Sequence, residues 1–186
     1  MALIMKTAIY FGSTSGNTEE VADLIARYLG MHQVDKYDLA RTGLAGADAY
    51  DLLVFGIPTW DGGNLQGDWE DRWQELSRID FSNRLVALFG LGDQYGYSET
   101  YLDGMGMLHA HLSGLGARIV GSWPAAGYSF ESSKALCQRE GRFVGLALDV
   151  ESEGHLTEPR VMEWCRQVVE AAAERTVSAA VTCAVT

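Results

Sequence analysis

Four hydroxyl side chains lie close together near the start of the chain, on a turn whose residue types could bind a phosphate group. A short β-branched and aromatic run, residues 7–11, precedes the turn, and apolar residues recur at helical spacing after it. Such a turn favours an anion, because the first N–H groups of a helix lack intrahelical acceptors and the helix dipole is positive there. Glycines at 12 and 16 allow a ligand to approach the backbone closely. The predicted phosphate-binding residues are Ser13, Thr14, Ser15, Gly16, Asn17 and Thr18.

The turn contains no Lys or Arg, which separates it from other phosphate-binding motifs. A Walker A loop needs a Lys for the β- and γ-phosphates and one more residue between its glycines, and the triple-glycine dinucleotide fingerprint is also missing. A terminal phosphomonoester, with three oxygens to satisfy, suits a ring of neutral donors. An ordinary capped helix start, in which Ser or Thr precedes Glu, is the alternative that the residues leave open.

Two further loops follow continuous apolar runs, residues 52–57 and 85–91, which are typical of central parallel strands. One loop reads Thr59-Trp60-Asp61-Gly62-Gly63, and the other runs from Gly92-Asp93 to Tyr97 and on to Thr100. Aromatic side chains on glycine-rich loops beside a phosphate turn indicate that a flat ring is held between them. A buried, purely structural Trp60 is the alternative.

Strands alternate with helices along the chain, which predicts an α/β fold with a doubly wound parallel sheet and helices on both faces. Ligands bind such sheets at the carboxyl ends of the strands, so we expect the three loops to meet. We predict one domain over residues 1–186 and no internal repeat. The predicted strands are 7–11, 33–39, 52–57, 85–91 and a fifth made of 118–123 and 143–148. The predicted helices begin at Asn17 and cover 68–78, 100–115 and 158–175, the last with Pro159 in its first turn.

Residues 124–142 are polar, rich in Gly and Ser, and lack a sustained period, so we interpret them as an insertion in an edge strand. Because an edge strand is less central to the core, we expect removal of this insertion to leave ligand binding largely intact. The tail, residues 176–186, carries no assignment.

Composition and charge exclude several classes of protein. With 186 residues, 47% of them hydrophobic, the chain can build one well-buried domain. Its net charge of −11 argues against nucleic acid or an anionic membrane as a partner and favours a partner with a basic patch. Residues 58–103 alone carry nine carboxylates and three arginines, a net charge of −6. No segment has the length of a membrane span or of a signal peptide's apolar region.

The cysteines and histidines give no sign of a disulfide framework, a metal site or a catalytic base. Cys137, Cys165 and Cys183 are odd in number and widely spaced, which fits a reducing cytoplasm. His109 and His111 lie two apart on a predicted helix and so face different ways, and the other two histidines, His32 and His155, fall in predicted loops.

The three loops together resemble those of long-chain flavodoxins, similar to the flavodoxins of nitrogen-fixing bacteria. The resemblance runs from about residue 6 to residue 175. It rests on Gly12-Ser-Thr-Ser-Gly-Asn-Thr-Glu19, on Pro58-Thr-Trp-Asp-Gly-Gly-Asn-Leu-Gln-Gly-Asp-Trp69 and on Gly90-Leu-Gly-Asp-Gln-Tyr-Gly-Tyr97. It implies a flavodoxin-like sheet of five strands in the order 2-1-3-4-5, with the insertion in the last strand.

By this resemblance the ligand is non-covalently bound FMN. Residues 13–18 would hold its phosphate, and Trp60 and Tyr97 would flank the isoalloxazine ring. The backbones of residues 59–63 and of Leu91, Gly92 and Asp93 would meet the polar edge of the ring. Thr100 is one departure, since long-chain relatives often carry Asn there near the flavin.

The function implied is that of a low-potential one-electron carrier that cycles between semiquinone and hydroquinone and is not an enzyme. A monomer in the cytoplasm would donate electrons to proteins with basic docking faces. By resemblance these partners are a flavodoxin/ferredoxin reductase, pyruvate-flavodoxin oxidoreductase or nitrogenase reductase. One alternative is an FMN-dependent quinone or azo reductase on the same fold. Another is a flavin-free phosphate-binding or receiver module, although a receiver would need an acidic cluster where this chain has Ser and Thr.

Overall fold

The computed structural model describes residues 5–30 and 33–183, with side chains up to residue 174. Its main sheet is parallel, in the order β2 (Val34–Asp38), β1 (Thr7–Phe11), β3 (Leu52–Trp60), β5 (Leu85–Leu91). The fifth position, beside β5, is shared by β6 (Arg118–Val120) and β10 (Leu146–Leu148). The predicted order and the split last strand are therefore confirmed. A two-residue strand, β4 (Asn64–Leu65), pairs antiparallel with the end of β3.

The insertion has a small sheet of its own. Strands β7 (Trp123–Pro124), β8 (Leu136–Cys137) and β9 (Arg142–Phe143) pair antiparallel in the order β7-β9-β8. The sequence predicts Trp123 and Phe143 in the fifth strand, but both lie in this small sheet, so the interruption covers residues 121–145 and not 124–142. Gly121, at a φ of 83°, ends β6 and turns the chain away. The chain rejoins β5 through Gly145, where a Cβ would lie 2.4 Å from the carbonyl oxygen of Leu88.

Helices cover both faces of the sheet, because alternate strand residues point to opposite sides. On β1, Ile9 and Phe11 pack under α1 (Asn17–Leu29) and α5 (Gly154–Cys183), whereas Ala8 and Tyr10 point to the opposite face. That second face is covered by α2 (Leu39–Thr42), α3 (Gly67–Arg72) and α4 (Asp103–Gly114). The helices on both faces that the sequence predicts are confirmed, and a separate cluster of buried hydrophobic residues lies on each face of the sheet.

Two of the predicted helices are interrupted. The predicted helix over 68–78 is α3 followed by a 3₁₀ segment, Trp73–Arg78, although Trp69 and Leu76 are buried as predicted. The predicted helix over 100–115 is a 3₁₀ turn, Ser98–Thr100, and then α4. Leu102, at a φ of 60°, separates the two because a left-handed residue cannot continue a helix.

The last helix is longer than predicted. It begins at Gly154, so Pro159 lies inside it and not in its first turn. Its backbone continues to Cys183, which assigns most of the tail. His32, the side chain of Cys183 and residues 184–186 lie outside the described part of the chain. Strand β3 also exceeds its predicted end: Pro58 pairs with Leu91 of β5, whereas β1 on the other side reaches only to Gly56.

Candidate functional site

The N-terminus of α1 is left without a side-chain cap. Gly16 occupies the N-cap position at a φ of 92°, and no side chain accepts a hydrogen bond from the first-turn N–H groups. The hydroxyl of Ser13 accepts from the N–H of Gly16 at 3.2 Å and so shapes the turn without capping the helix. This geometry argues against the ordinary capped start. The free N–H groups and the adjacent hydroxyls are a donor set that fits an anion such as phosphate.

The turn is supported from behind by Gln66, which is 3% exposed. Its Nε2 donates to Thr14 Oγ1 at 3.2 Å and to Asp68 Oδ2 at 2.6 Å, and its Oε1 accepts from the N–H of Trp69 at 3.4 Å. A Cβ on Gly12 would lie 2.1 Å from Gln66 Oε1, so the glycine is required for this side chain to fit. The first and second loops are therefore joined by one buried amide.

The second loop is a tight turn of left-handed residues. Asp61, Gly62 and Gly63 have φ angles of 41°, 70° and 103°. The N–H of Gly63 closes the turn on the carbonyl of Trp60 at 3.0 Å. Asn64 Nδ2 donates to the carbonyl of Asp61 at 3.1 Å. Trp60 is 36% exposed, so the alternative of a buried structural tryptophan is wrong.

The third loop is held by its own aspartate. Asp93 Oδ1 accepts from the N–H groups of Tyr95 at 3.0 Å and Gly96 at 2.7 Å, and the carbonyl of Asp93 accepts from the N–H of Tyr97 at 3.1 Å. The Asp93 carboxylate therefore stabilises the conformation of the loop to which it belongs. The ring of Tyr97 is 55% exposed and free to contact a ligand.

The three loops meet at the carboxyl edge of the sheet, around a cavity of about 260 Å³ with a recess of about 20 Å³. Thirteen of the sixteen predicted site residues line one or both of these spaces. They are Ser15, Asn17, Thr18, Thr59, Trp60, Asp61, Gly62, Gly63, Leu91, Gly92, Asp93, Tyr97 and Thr100. Ser13, Thr14 and Gly16 lie in the same turn but do not line the cavity.

The cavity also has walls that the sequence reasoning missed. Val150 and Glu151 line it from a fourth loop, just beyond β10, and Pro58 lines it from the end of β3. This fourth loop could have been predicted from the sequence, because a ligand site at the carboxyl ends of parallel strands includes the loop after the last strand. Tyr101 and Leu102 line the recess. A Cβ on Gly92 would lie 3.1 Å from the ring of Tyr101, which supports the loop from beneath.

A larger groove of about 590 Å³ runs away from the cavity between α1 and the start of α5. It shares Asn17, Val150 and Glu151 with the cavity, and its other walls include Glu20 and Glu158. It has no aromatic wall and several carboxylates, so it fits neither a phosphate nor a flat ring. The smaller cavity is therefore the candidate site.

The thiols and imidazoles described by the structure contribute no reactive group to the cavity. Burial raises the pKa of the Cys165 thiol to about 12, so it stays protonated, and neither Cys165 nor Cys137 is in a disulfide. Burial lowers the pKa of His109, which lies in α4 away from the loops. Among the described side chains, no cluster of three or more His, Cys, Asp or Glu could hold a metal ion. Within residues 5–30 and 33–183, no helix combines the length and apolarity needed to cross a membrane.

The fold and the cavity together define a doubly wound α/β protein with its ligand site at the carboxyl edge of the sheet. Residues 9–164 match the family model described as Flavodoxin, and the chain belongs to the flavodoxin family. Flavodoxins are electron-transfer proteins, which confirms the prediction that this chain is not an enzyme.

Individual relatives agree with this assignment. Flavodoxin 1 of Escherichia coli K12 is 46% identical over 164 residues, which are 88% of this chain and 93% of that protein. A flavodoxin of Klebsiella pneumoniae is 45% identical over 170 residues, 91% of this chain and 94% of its own. The crystal structure of Fusobacterium nucleatum flavodoxin bound to flavin mononucleotide matches with a TM-score of 0.85 and 25% identity. The match covers 90% of this chain and 99% of that one.

Proposed function

We propose that this flavodoxin is a low-potential one-electron carrier of the long-chain type, with FMN bound non-covalently in the 260 Å³ cavity. The observation that carries the proposal is the uncapped N-terminus of α1, with its hydroxyl turn, at one end of a cavity that has exposed aromatic rings at its mouth. Bound FMN would supply the electron chemistry, and this chain would position the cofactor and set its environment.

Each loop has a proposed role, which the resemblance implies and the geometry of the loop supports. The turn of residues 13–18 holds the phosphate with hydroxyl and N–H donors. Trp60 and Tyr97 cover the two faces of the isoalloxazine ring, and the backbones of residues 59–63 and 91–93 donate to and accept from its polar edge. Thr100 contributes through packing, because its side chain lies against Gly63, where a Cβ would be 3.1 Å from it.

A carrier fits the cavity better than a reductase does. The residues that line the cavity and its recess include no His, Lys or Arg that could act as an acid or base toward a bound substrate. With both ring faces covered by Trp60 and Tyr97, the exposed edge of the ring is the route for electrons. The function that this arrangement supports is the transfer of electrons to and from another protein.

We propose that the partners are redox proteins with basic docking faces, met by a monomer in the cytoplasm. The support is the net charge of −6 over residues 58–103, which contain the second and third loops. Flavodoxin/ferredoxin reductase, pyruvate-flavodoxin oxidoreductase and nitrogenase reductase are the kinds of partner that the resemblance implies. Electron transfer to such a protein should slow as salt is raised, since opposite charges steer the encounter.

The phosphate assignment is tested by titrating the apo-protein with FMN and with riboflavin. Hydrogen bonds to a charged group are worth about 1.5–3 kcal/mol. Thr14→Val should therefore lower the affinity for FMN by about tenfold or more and leave the affinity for riboflavin nearly unchanged. Equal losses of affinity for the two ligands would show that the turn does not hold the phosphate.

The carrier assignment is tested by potentiometry of the FMN-loaded protein. Two separate one-electron steps are expected, and a single two-electron wave would contradict it.

A further inference from the structure

The hydrogen bonds around Gln66 determine which way its amide points. A backbone N–H can only donate, so the amide atom that faces the N–H of Trp69 must be the oxygen. The Nε2 then faces Asp68 and Thr14, and an ionised carboxylate can only accept, which agrees with the 2.6 Å contact to Asp68. The side chain is 3% exposed and lies against Gly12, so both its position and its polarity are constrained.

This polarity has a consequence for Thr14. A hydroxyl has one hydrogen to donate and two lone pairs that accept. Because Gln66 Nε2 donates to Thr14 Oγ1 at 3.2 Å, one lone pair is used on the inner side and the hydrogen remains available on the exposed side of the turn. An acceptor at the same inner position would instead draw the hydroxyl hydrogen inward, away from an anion.

We propose that Gln66 is a positioning residue that gives the phosphate turn its selectivity for an anion, by committing the Thr14 hydroxyl to donate outward. Gln66 acts through Thr14, and its amide also separates the carboxylate of Asp68 from the turn. The proposal rests on the proposed function, in which this turn holds the phosphate of FMN. It adds a residue from the second loop to the determinants of binding at the first.

The test is an exchange of polarity, Gln66→Glu together with Asp68→Asn. The double change keeps the net charge. The side chains at 66 and 68 can stay hydrogen-bonded to each other, with the amide of residue 68 now donating to the carboxylate of residue 66. An acceptor therefore faces Thr14 in place of a donor. The apo-protein is titrated with FMN and with riboflavin. We expect the affinity for FMN to fall by about tenfold and the affinity for riboflavin by less than about twofold, because only the charged ligand loses a hydrogen bond.

A matched control makes the same two changes on an exposed surface nearby, Gln74→Glu with Asp71→Asn, and should leave both affinities unchanged. A variant of similar length without polarity, Gln66→Met, should give a smaller selective loss, since the Thr14 hydroxyl is then free to turn either way. Circular dichroism of each apo-protein establishes that it is folded. If the exchange variant does not fold, Gln66→Met decides the question.

A double-mutant cycle identifies the route of the effect. In a Thr14→Val background the exchange should cause no further loss of affinity for FMN, because the Thr14 hydroxyl through which Gln66 acts is absent. Parallel losses of FMN and riboflavin, or an undiminished loss in the Thr14→Val background, would overturn the proposal. If Thr14→Val lowers the preference for FMN over riboflavin but the exchange does not, the inference about Gln66 is wrong and the phosphate turn stands. If Thr14→Val leaves that preference intact, both are wrong.

Discussion

At the scale of single residues, the turn after β3 has the most unusual backbone of the site. Three consecutive residues, Asp61 to Gly63, have positive φ, and Asp61 is one of two non-glycine residues in the described chain that do. Aspartate adopts this conformation at less cost than most side chains. The glycines were visible in the sequence, whereas the conformation of Asp61 follows from the pairing of Trp60 with Asn64 in β3 and β4, which closes the turn.

We predict that Gly62→Val lowers the potential of the first one-electron reduction. By resemblance the peptide that joins Asp61 to Gly62 faces N5 of the flavin ring, so rotation of the Asp61 carbonyl would provide an acceptor for the hydrogen that N5 gains on reduction. A glycine, which tolerates positive φ, makes that rotation easier. A side chain opposes the left-handed region by about 1–2 kcal/mol, so valine should favour an unrotated peptide that relaxes out of this region over the rotated one that keeps it. That difference is worth on the order of 40–80 mV for one electron. Nothing lies within 4 Å of a Cβ at Gly62, so the effect of valine is conformational and not a clash.

The matched control is Gly116→Val. Gly116 has a φ of 81°, nothing lies within 4 Å of a Cβ there, and it lies just beyond the C-terminal end of α4, outside the cavity. It should lower stability by a similar amount and leave both potentials unchanged. An unchanged first potential in Gly62→Val, measured by titration with a reducing dye, would show that rotation of this peptide does not set the potential.

At the scale of elements, the insertion is joined to the loop that carries Tyr97. The N–H of Ser129 donates to Gln94 Oε1 at 2.7 Å, and the N–H groups of Glu131 and Ser132 donate to the carbonyl of Ser98 at 2.9 and 3.0 Å. Gln94 is itself buried, with its Nε2 donating to Asp149 at 3.2 Å. The insertion interrupts an edge strand, as predicted, but its outer part packs behind the third loop.

These contacts argue against the expectation that removal of the insertion would leave ligand binding largely intact. We predict that replacing residues 129–132 by two glycines weakens FMN by about tenfold, since ordering even one freed residue of the Tyr97 loop on binding costs about 1–2 kcal/mol. The measurement is a fluorescence titration of the apo-protein with FMN.

The matched control shortens the hairpin between β8 and β9 within residues 138–141, which belongs to the insertion but lies away from the third loop. It should leave FMN affinity intact. Wild-type affinity in the 129–132 variant would restore the expectation that the insertion can be removed with ligand binding largely intact.

At the scale of the whole molecule, the acidic charge is less uniform than the sequence implies. Asp103 is only 4% exposed and is paired with Lys134, whose Nζ lies 3.2 Å from its carboxylate, so it adds little to the surface field. Glu75 accepts from the N–H of Leu44 at 2.8 Å and from Arg72 at 3.0 Å, and these hydrogen bonds lower its pKa. The exposed remainder, including Asp61, Glu70 and Glu99, provides the field that a basic partner would meet.

We predict that the apo-protein loses stability in two stages as the pH falls. Burial lowers the pKa of His109 from 6.5, so the unfolded chain takes up this proton first and stability declines as the pH drops below about 6.5. Glu75 has a pKa below 4.5, so the stability it contributes is present above that pH and is lost as the pH falls through its lowered pKa. Thermal unfolding between pH 7 and pH 3 measures both stages.

The variant His109→Asn should flatten the change in melting temperature between pH 7 and pH 5 and leave the lower stage in place. His155→Asn, at an exposed position near the start of α5, is the control and should behave as the wild type over that range. A pH 7 to 5 slope that survives in His109→Asn would assign the first stage to other groups.

Local patterns in the sequence were enough to predict the strands of the sheet and three of the four loops around the cavity, and the resemblance that those loops carry implied the strand order. Buried parallel strands are continuous apolar runs, and the glycines, hydroxyls and aromatics of the loops follow those runs directly. The helix boundaries were less predictable. Leu102 breaks a good helical pattern because it is buried under the third loop at a left-handed φ, and that depends on packing and not on its own propensity.

The sequence by itself determined the family, the residues proposed to bind a phosphate and the net acidic charge, because each depends on residue types and their order along the chain and not on which distant segments meet. Only the tertiary structure decided that Gln66 reaches Thr14 across 52 positions, that Ser129 supports Gln94, and that Val150 and Glu151 close the cavity. These contacts join segments that are distant in the chain. Their partners are chosen by where the strands end and how the loops pack over the sheet edge, which no local pattern of residues records.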